Sequence, residues 1–414
     1  MKKIAVIGAG IVGITTAFEL ASIGNHVTVF EQNSAGAEEA SFANGCVFSP
    51  GFVTPWVAPG LPRTLLSKLF REHSPVRIGG LGGKELAWIS KWRAACKMDS
   101  YLVHRSQLHN LASFSNEVFK DLTRRMSLDY EHSKAFMVLY RGPEEQKSAQ
   151  RILQSYKEMG VPFLEISAEK ARILEPALNL ETKIQGGLYF PEDQIANCRQ
   201  FALMLKDECE KLGVRFEFNS NVKPLSSAQP TLLQTQRGET RFDAVVICAG
   251  IRSAEILAPI GIKVPMLPVY GYSLSAAVRE AIDAPLSGLI DDRHKVTISR
   301  IGQRIRVSGI AQIGGSAKVQ SQAAFNTLYK VLNDWFPGAA KTSENVQEWK
   351  GARAMLPEGI PLIGACKVPG VWLNIGHGSS GWTLSCGAAR ALANLIDGRL
   401  PGTNLIGFGM SRLD

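Results

Sequence analysis

A glycine-rich turn near the amino terminus constrains this chain more than any other feature. Gly8-Ala9-Gly10-Ile11-Val12-Gly13 reads GxGxxG. A short apolar, β-rich run precedes it from Lys3 to Ile7. Residues 11–23 follow with Ile14, Ala17, Phe18 and Ala21 at helical spacing, and Gly24-Asn25 stops that pattern. A second β-rich run ends in Glu31. Strand, tight turn, helix, strand and acid make a βαβ unit, which calls for a parallel sheet in an α/β domain. Each glycine has a distinct task there: Gly8 permits the turn, Gly10 lets backbone approach a pyrophosphate, and Gly13 lets the helix pack close on the sheet. The helix amino terminus would hold the pyrophosphate, and Glu31, with Gln32 beside it, would take the ribose hydroxyls. Ala9, Ile11 and Val12 complete the dinucleotide turn.

The rest of the chain bounds the answer further. A length of 414 residues suits two domains. No run approaches 18 apolar residues, so no membrane-spanning helix is expected. The first strand pattern begins at Lys3, leaving no room for a signal peptide, and a bacterial-type cytoplasmic location is expected. Seven cysteines show no CxxC pair, and the histidines stand at no ligand spacing beside them. Free, mostly buried thiols and no metal site are expected. The net charge of +9 comes without a nucleic-acid motif, so no nucleic-acid partner is expected.

Helical patterns are read over 61–73, 86–126, 144–159, 168–173, 198–212, 322–336 and 382–396, and strands over 135–140, 187–190, 214–218, 244–248, 270–274, 295–299, 304–307 and 371–375. The α/β character opens the chain, returns in the middle and closes it. The expected fold is therefore α/β: a Rossmann-type domain from 1–74, 191–262 and 349–414, and a discontinuous α+β substrate domain on a mixed sheet from 75–190 and 263–348.

NAD and FAD share the opening fingerprint. Three further stretches favour FAD. Residues 243–250 (DAVVICAG) form a buried strand ending in Ala249-Gly250, a second close approach of backbone to cofactor. Residues 376–382 form a glycine-rich turn feeding the last helix, whose first residues (Gly378, Ser380, Gly381, Trp382, Thr383) can face the flavin edge where negative charge develops on reduction. Ser41, Asn44 and Gly45 follow the second strand, where a flavin ring would be lined. Val222 is assigned to the same cofactor wall.

These residues also carry a resemblance. IAVIGAGIVG, SFANGCVFSPGFVTPWVAPGLP, GYSLS from Gly271, GARAMLPEGIPLIG from Gly351 and NIGHGSSGWTLSCG from Asn374 resemble the FAD-dependent amino-acid oxidoreductases of the D-amino-acid oxidase superfamily, and within it the D-amino-acid dehydrogenase branch. The resemblance spans essentially the whole chain. It implies FAD across the Rossmann domain, a mixed sheet roofing the flavin, and oxidation of an amino acid by hydride transfer from Cα to N5, giving a 2-oxo acid and ammonia. A D-amino acid is the favoured substrate, and a quinone or other acceptor takes the electrons. The family commonly reads Gly-x-Arg-Pro-x-Thr-Pro-Asp where this chain has 351–358 as GARAMLPE. It often has Lys where Tyr270 stands, and usually Gly where Cys46 stands.

Arg353 matches the family's substrate-binding arginine, and a guanidinium suits a planar carboxylate bidentately. Tyr270 and Tyr272 alternate on one strand, so both line the site or both miss it. His377 adjoins the flavin turn, either as a base or as a backbone-capping or ring-contacting side chain. An oxygen-using oxidase of the glycine or sarcosine type, a proline or hydroxyproline dehydrogenase, and a nucleotide-binding subunit without chemistry remain alternatives. No cysteine lies beside Arg353, so non-covalent FAD is expected. Residues 61–105 carry nine basic residues (Arg63, Lys68, Arg71, Arg77, Lys84, Lys91, Arg93, Lys97, Arg105) against three acids. With Trp88 and Trp92 one turn apart, and Leu61, Leu65, Leu66, Leu69 and Phe70 on one helical side, the segment reads as a peripheral contact to an anionic membrane. Packing of these helices on the core is the alternative.

Overall fold

The opening βαβ unit forms as read: β1 (Lys3–Ile7), α1 (Ile11–Ser22) and β2 (His26–Phe30). The computed structural model describes residues 1–58, 60, 62 and 72–413. Most of the helix expected over 61–73 lies outside the described residues, with Leu61, Leu65, Leu66, Leu69, Phe70, Arg63, Lys68 and Arg71. In chain order there follow β3 (Val47–Phe48), β4 (Val76–Ile78), α2 (Gly83–Ala95), α3 (Met98–Met126), β5 (His132–Tyr140), α4 (Pro143–Glu158), β6 (Leu164–Ile166), α5 (Ala168–Leu174), β7 (Gly186–Ala196) and α6 (Cys198–Lys211). Then come β8 (Arg215–Glu217), β9 (Leu232–Thr235), β10 (Gly238–Arg241), β11 (Ala244–Ile247), α7 (Ser253–Leu257), β12 (Leu267–Ala277), β13 (Gly288–Asp291) and β14 (Val296–Ile301). The chain closes with β15 (Arg304–Ile313), α8 (Gln322–Trp335), β16 (Gln347–Met355), β17 (Leu362–Ala365), β18 (Val371–Ile375) and α9 (Gly381–Ile396).

One sheet runs β17-β18-β11-β1-β2-β8, parallel except at its β17 edge. Its strands are buried on both faces, and alternate residues feed two different cores. Ile4, Val6 and Val246 join the core built with α1, α3, α6 and α9, whereas Ala5, Ile7, Val245 and Ile247 join the one containing Leu362 and Leu373. Small residues set the helix spacing: a Cβ at Gly13 would overlap the Gly8 carbonyl, and one at Gly387 of α9 would come within 2.7 Å of the Ser115 backbone in α3.

The second sheet is mixed and ten-stranded, ordered β16-β12-β15-β14-β13-β5-β7-β3, with β4 on β15 and β6 on β7. Helix α8 covers one face, where Phe325, Leu328 and Trp335 pack with Leu274 and Val307. The expected architecture of a Rossmann-type sheet beside a mixed sheet is thus present. Membership crosses the expected segment boundaries: β3 and β16 belong to the mixed sheet, and α3 packs on the parallel one. Strand β7 continues through Pro191 and Glu192, which stopped the sequence reading at residue 190. Strand β16 escaped that reading because QEWKGARAM has no apolar alternation to mark it.

The segment 61–105 needs correction. Trp88 and Trp92, expected at a membrane interface, are only 4% and 5% exposed. Their indole N–H groups donate to the carbonyls of Met355 (3.1 Å) and Trp56 (2.7 Å). Arg105 is 1% exposed, its guanidinium 4.4 Å over the Tyr156 ring, so its charge does not reach the surface. An apolar helix face buries against protein when a core is available. Among the described residues no helix is long and apolar enough to cross a membrane.

Candidate active site

The strand order reverses direction at β1, with β2 on one side and β11 on the other. A crevice opens beyond the carboxyl ends of such strands. Here it is a cavity of about 640 Å³ closed above by the mixed sheet. Gly8 sits at the seam with φ +106°, and a Cβ there would lie 2.6 Å from the Cys248 carbonyl oxygen. Only glycine turns the chain this tightly between two strand ends.

At one end of the cavity Glu31 is pinned: its carboxylate accepts the amides of Ala9 (2.8 Å) and Asn33 (2.9 Å). Gln32 accepts from Arg252 (2.8 Å), and both line the cavity. Arg252 escaped the sequence reading, although it follows Ala249-Gly250 directly. Ser41 accepts the Ile11 amide (3.1 Å) at the start of α1. Gly8, Gly10, Ile11, Val12, Glu31, Gln32, Ser41, Val222, Ala249 and Gly250 all line this cavity. Ala9 and Gly13, assigned to the cofactor wall from sequence, lie behind it instead. The Ala9 amide serves Glu31, and Gly13 serves the packing of α1 on the Gly8 turn.

At the other end the lining comes from the 41–54 segment and the start of α9. Asn44, Gly45, Gly378, Ser380, Gly381, Trp382 and Thr383 lie in this wall as expected from sequence. Asn44 accepts the Cys46 amide (3.0 Å), and Ser299 donates to the Gly45 carbonyl (2.9 Å). Cys46 adopts φ 58°, the left-handed region in which glycine is at ease. Asp193, raised to about 6 by burial, accepts from the Ser49 hydroxyl and from the Gly51 amide (3.3 Å), which fixes the turn carrying Phe52 and Val53 into the wall. Thr383 accepts the Ser49 amide (3.3 Å), tying that turn to α9. His377 is pushed down to about 3 by burial and its Nε2 has no partner among the described residues, so it is a neutral imidazole facing the cavity. The Trp382 indole N–H is likewise buried and unpartnered.

The roof is set by strand register. Val269 pairs with Arg353, Gly271 with Gly351 and Ser273 with Trp349, so these six share one face; Tyr270 pairs with Ala352 and Tyr272 with Lys350 on the other. Arg353, Gly271, Gly351 and Trp349 line the cavity. Burial pushes the Arg353 guanidinium down to about 10, and it has no carboxylate partner among the described residues. It donates to the Ile310 carbonyl (2.9 Å). Ile310 has φ 56°, rare for a β-branched residue, at the bulge where β15 and β12 shift register between Tyr270 and Tyr272. The bulge turns that carbonyl toward Arg353. Gly271 provides the berth: a Cβ there would lie 2.5 Å from Arg353 Nη2.

Tyr270 and Tyr272 share the strand face opposite Arg353; Tyr272 is among the residues lining the cavity and Tyr270 is not. Lys350 Nζ stands 4.3 Å and 5.5 Å over the Tyr270 and Tyr272 rings. The Tyr272 hydroxyl donates to Gln312, and its ring packs on Phe325 of α8 at 5.3 Å. The Tyr272 hydroxyl is thus engaged by Gln312 rather than offered to a carboxylate at Arg353. Trp349 was missed, because finding it required reading 347–355 as a strand.

Comparison with known proteins places this geometry. A model of the FAD dependent oxidoreductase family matches residues 3–395. D-amino acid dehydrogenases from two strains of Cereibacter sphaeroides are each 36% identical over 415 aligned residues, covering 99% of this chain and 95% of theirs. Among solved structures, glycine oxidase from Geobacillus kaustophilus aligns over 100% of this chain and 99% of its own with a TM-score of 0.78 at 18% identity. L-proline dehydrogenase from P. horikoshii aligns over 98% and 95% with a TM-score of 0.72 at 17% identity. At those identities the two structures speak to the fold alone.

Proposed function

We propose, from the premise that this chain belongs to the family of FAD dependent oxidoreductases, that it oxidatively deaminates a small amino acid, a D-amino acid by preference, and passes the electrons to a quinone or similar acceptor. FAD fits the residues present. The cavity runs from the pinned Glu31 to the start of α9, glycines stand where its walls come closest, and His377 Nε2 and Trp382 Nε1 face it as buried polar atoms without partners among the described residues. Glu31 would hold the ribose, the turn at Gly10 and the start of α1 the pyrophosphate, and the start of α9 the flavin edge. When bound, FAD supplies the hydride acceptor for the substrate Cα–H bond.

The observation that carries the substrate class is Arg353: a cavity-facing, desolvated guanidinium with no carboxylate partner among the described residues. An α-carboxylate completes it bidentately and thereby aims Cα into the cavity. A neutral amine needs no base to lose hydride, and neutral His377 adds no charge to repel the cationic imine that forms. Water then hydrolyses the imine to the 2-oxo acid and ammonia. The 36% identical relatives named D-amino acid dehydrogenase support the D preference and the dehydrogenase reading over the oxidase one.

The test is a screen of purified, FAD-loaded protein over D- and L-amino acids, proline and hydroxyproline, in air and with a dye acceptor. Dye-dependent turnover of D-amino acids with little hydrogen peroxide is expected. Stoichiometric peroxide would favour the oxidase, and flavin reduction by no amino acid would overturn the reading.

A further inference from the structure

We propose that Trp349 is the wall against which the substrate's side chain rests, selecting amino acids with neutral, apolar side chains. The inference rests on the proposed amino-acid oxidation and deepens it. Gly271 and Gly351 pair across β12 and β16, leaving a patch of roof without side chains. On one flank the Arg353 guanidinium occupies the space a Cβ at Gly271 would need. On the other, the far edge of the Trp349 indole lies over Gly351, where a Cβ would overlap Cη2 and Cζ2. Guanidinium and indole therefore lie side by side on the paired glycines, the one over Gly271 and the other over Gly351. A carboxylate held by Arg353 brings the rest of the substrate beside the ring.

The indole is braced. Phe42 lies 6.3 Å from it at a 33° tilt, and the Arg199 guanidinium stands 4.4 Å over the Phe42 ring. Charge then decides the side-chain class. Among the described cavity-lining residues the acids are Glu31 and Glu39, which neighbour one another at the ribose end. A cationic side chain would lie near the Arg353 guanidinium with no carboxylate among the described lining residues beside it. An anionic one would compete with the α-carboxylate for the same Arg353 guanidinium and lose its hydration against the apolar ring. A neutral apolar chain or ring meets neither penalty and gains contact with the indole.

The experiment compares FAD-loaded wild type, Trp349→Phe and Trp349→Ala, with FAD content and melting temperature as fold controls. Two readouts are kept: kcat/KM for leucine against alanine (both enantiomers), and binding of acetate against cyclohexanecarboxylate read from the flavin absorbance. Trp349→Ala should lower the leucine-to-alanine ratio about tenfold or more and weaken cyclohexanecarboxylate to a similar degree. Acetate should stay within about threefold, and Trp349→Phe should retain most of the ratio. Trp349→Leu replaces the alanine variant if that one does not fold; the loss it should show is of cyclohexanecarboxylate relative to acetate. Unmoved ratios, or wild-type turnover of lysine or glutamate matching leucine, would overturn the assignment while leaving amino-acid oxidation standing. If no amino acid reduces the wild-type flavin, both fall together.

Discussion

At the scale of single residues, the site is built as much by missing side chains as by present ones. Arg353 lies where it does because Gly271 has no Cβ and because a bulged Ile310 offers its carbonyl. Replacing Arg353 by Met removes a charge-assisted bidentate partner, so kcat/KM should fall by about 2–4 kcal/mol in barrier terms while FAD remains bound. Gly271→Ala should act through the same guanidinium. Its new Cβ displaces Nη2 from 2.5 Å, and a misplaced anchor should raise KM by about tenfold or more with FAD content unchanged. Steady-state kinetics beside flavin absorbance check both, and an Arg353→Met enzyme within a few-fold of wild type would remove that residue from the site. Arg353 was legible in the sequence through its motif. Gly271's service to it was not, because the two residues are 82 positions apart and meet only across the β12–β16 pairing.

At the scale of elements, strand register settles which side chains of a motif reach the cavity. Tyr270 and Tyr272 alternate as expected yet lie on the strand face opposite Arg353, where the Tyr272 ring packs on Phe325 of α8, and Trp349 faces the cavity from a strand with no apolar alternation to announce it. Packing between elements also sets titrations. Glu175, at the end of α5, accepts the Leu286 amide with both carboxylate oxygens (3.0 and 2.9 Å), and burial pushes it up from 4.5 to about 7. The folded state then keeps this proton to higher pH than the unfolded chain. Its contribution to stability is full below about pH 4.5, falls as the pH rises to about 7, and is constant above, by at most about 3 kcal/mol. Urea unfolding of wild type and Glu175→Gln across that window should show their difference changing with pH in this sense. A difference independent of pH would mean the buried carboxyl titrates normally.

At the scale of the whole molecule, the question is how reducing equivalents leave. The two tryptophans and Arg105 are withdrawn from the surface, but α2 and the start of α3 still present an exposed mixed face. Leu81, Leu86, Met98, Leu102 and Val103 are 47–56% exposed among exposed Lys84, Lys91, Arg93 and Lys97. Exposed apolar side chains and exposed lysine and arginine in one segment suit an anionic bilayer, each basic residue contributing roughly 1 kcal/mol near such a surface. We expect liposome flotation at low salt only with anionic lipid, weakened when Lys91, Arg93 and Lys97 become Glu. Absence of flotation at low salt, or indifference to those charges, would count against the membrane contact. FAD should also leave with the supernatant on acid precipitation, since no cysteine lies beside Arg353. Colour retained in the pellet would show a covalent link.

The sequence by itself determined whatever is written in local order. The GxGxxG turn with its flanking strands and Glu31, the buried 244–247 strand and the glycine-rich entry to α9 are contiguous, so steric rules of turn and helix identify them without a third dimension. The presence of a mixed sheet was legible too, through the family pattern. Only the tertiary structure decided which face of each roof strand meets the cavity, that Trp88 and Trp92 bury beneath β12 and β16, and that Arg353 is left with a backbone carbonyl and, among the described residues, no acid. Those outcomes depend on register and on contacts between residues far apart in the chain. A slip of one residue exchanges the two faces of a strand while leaving its local sequence untouched.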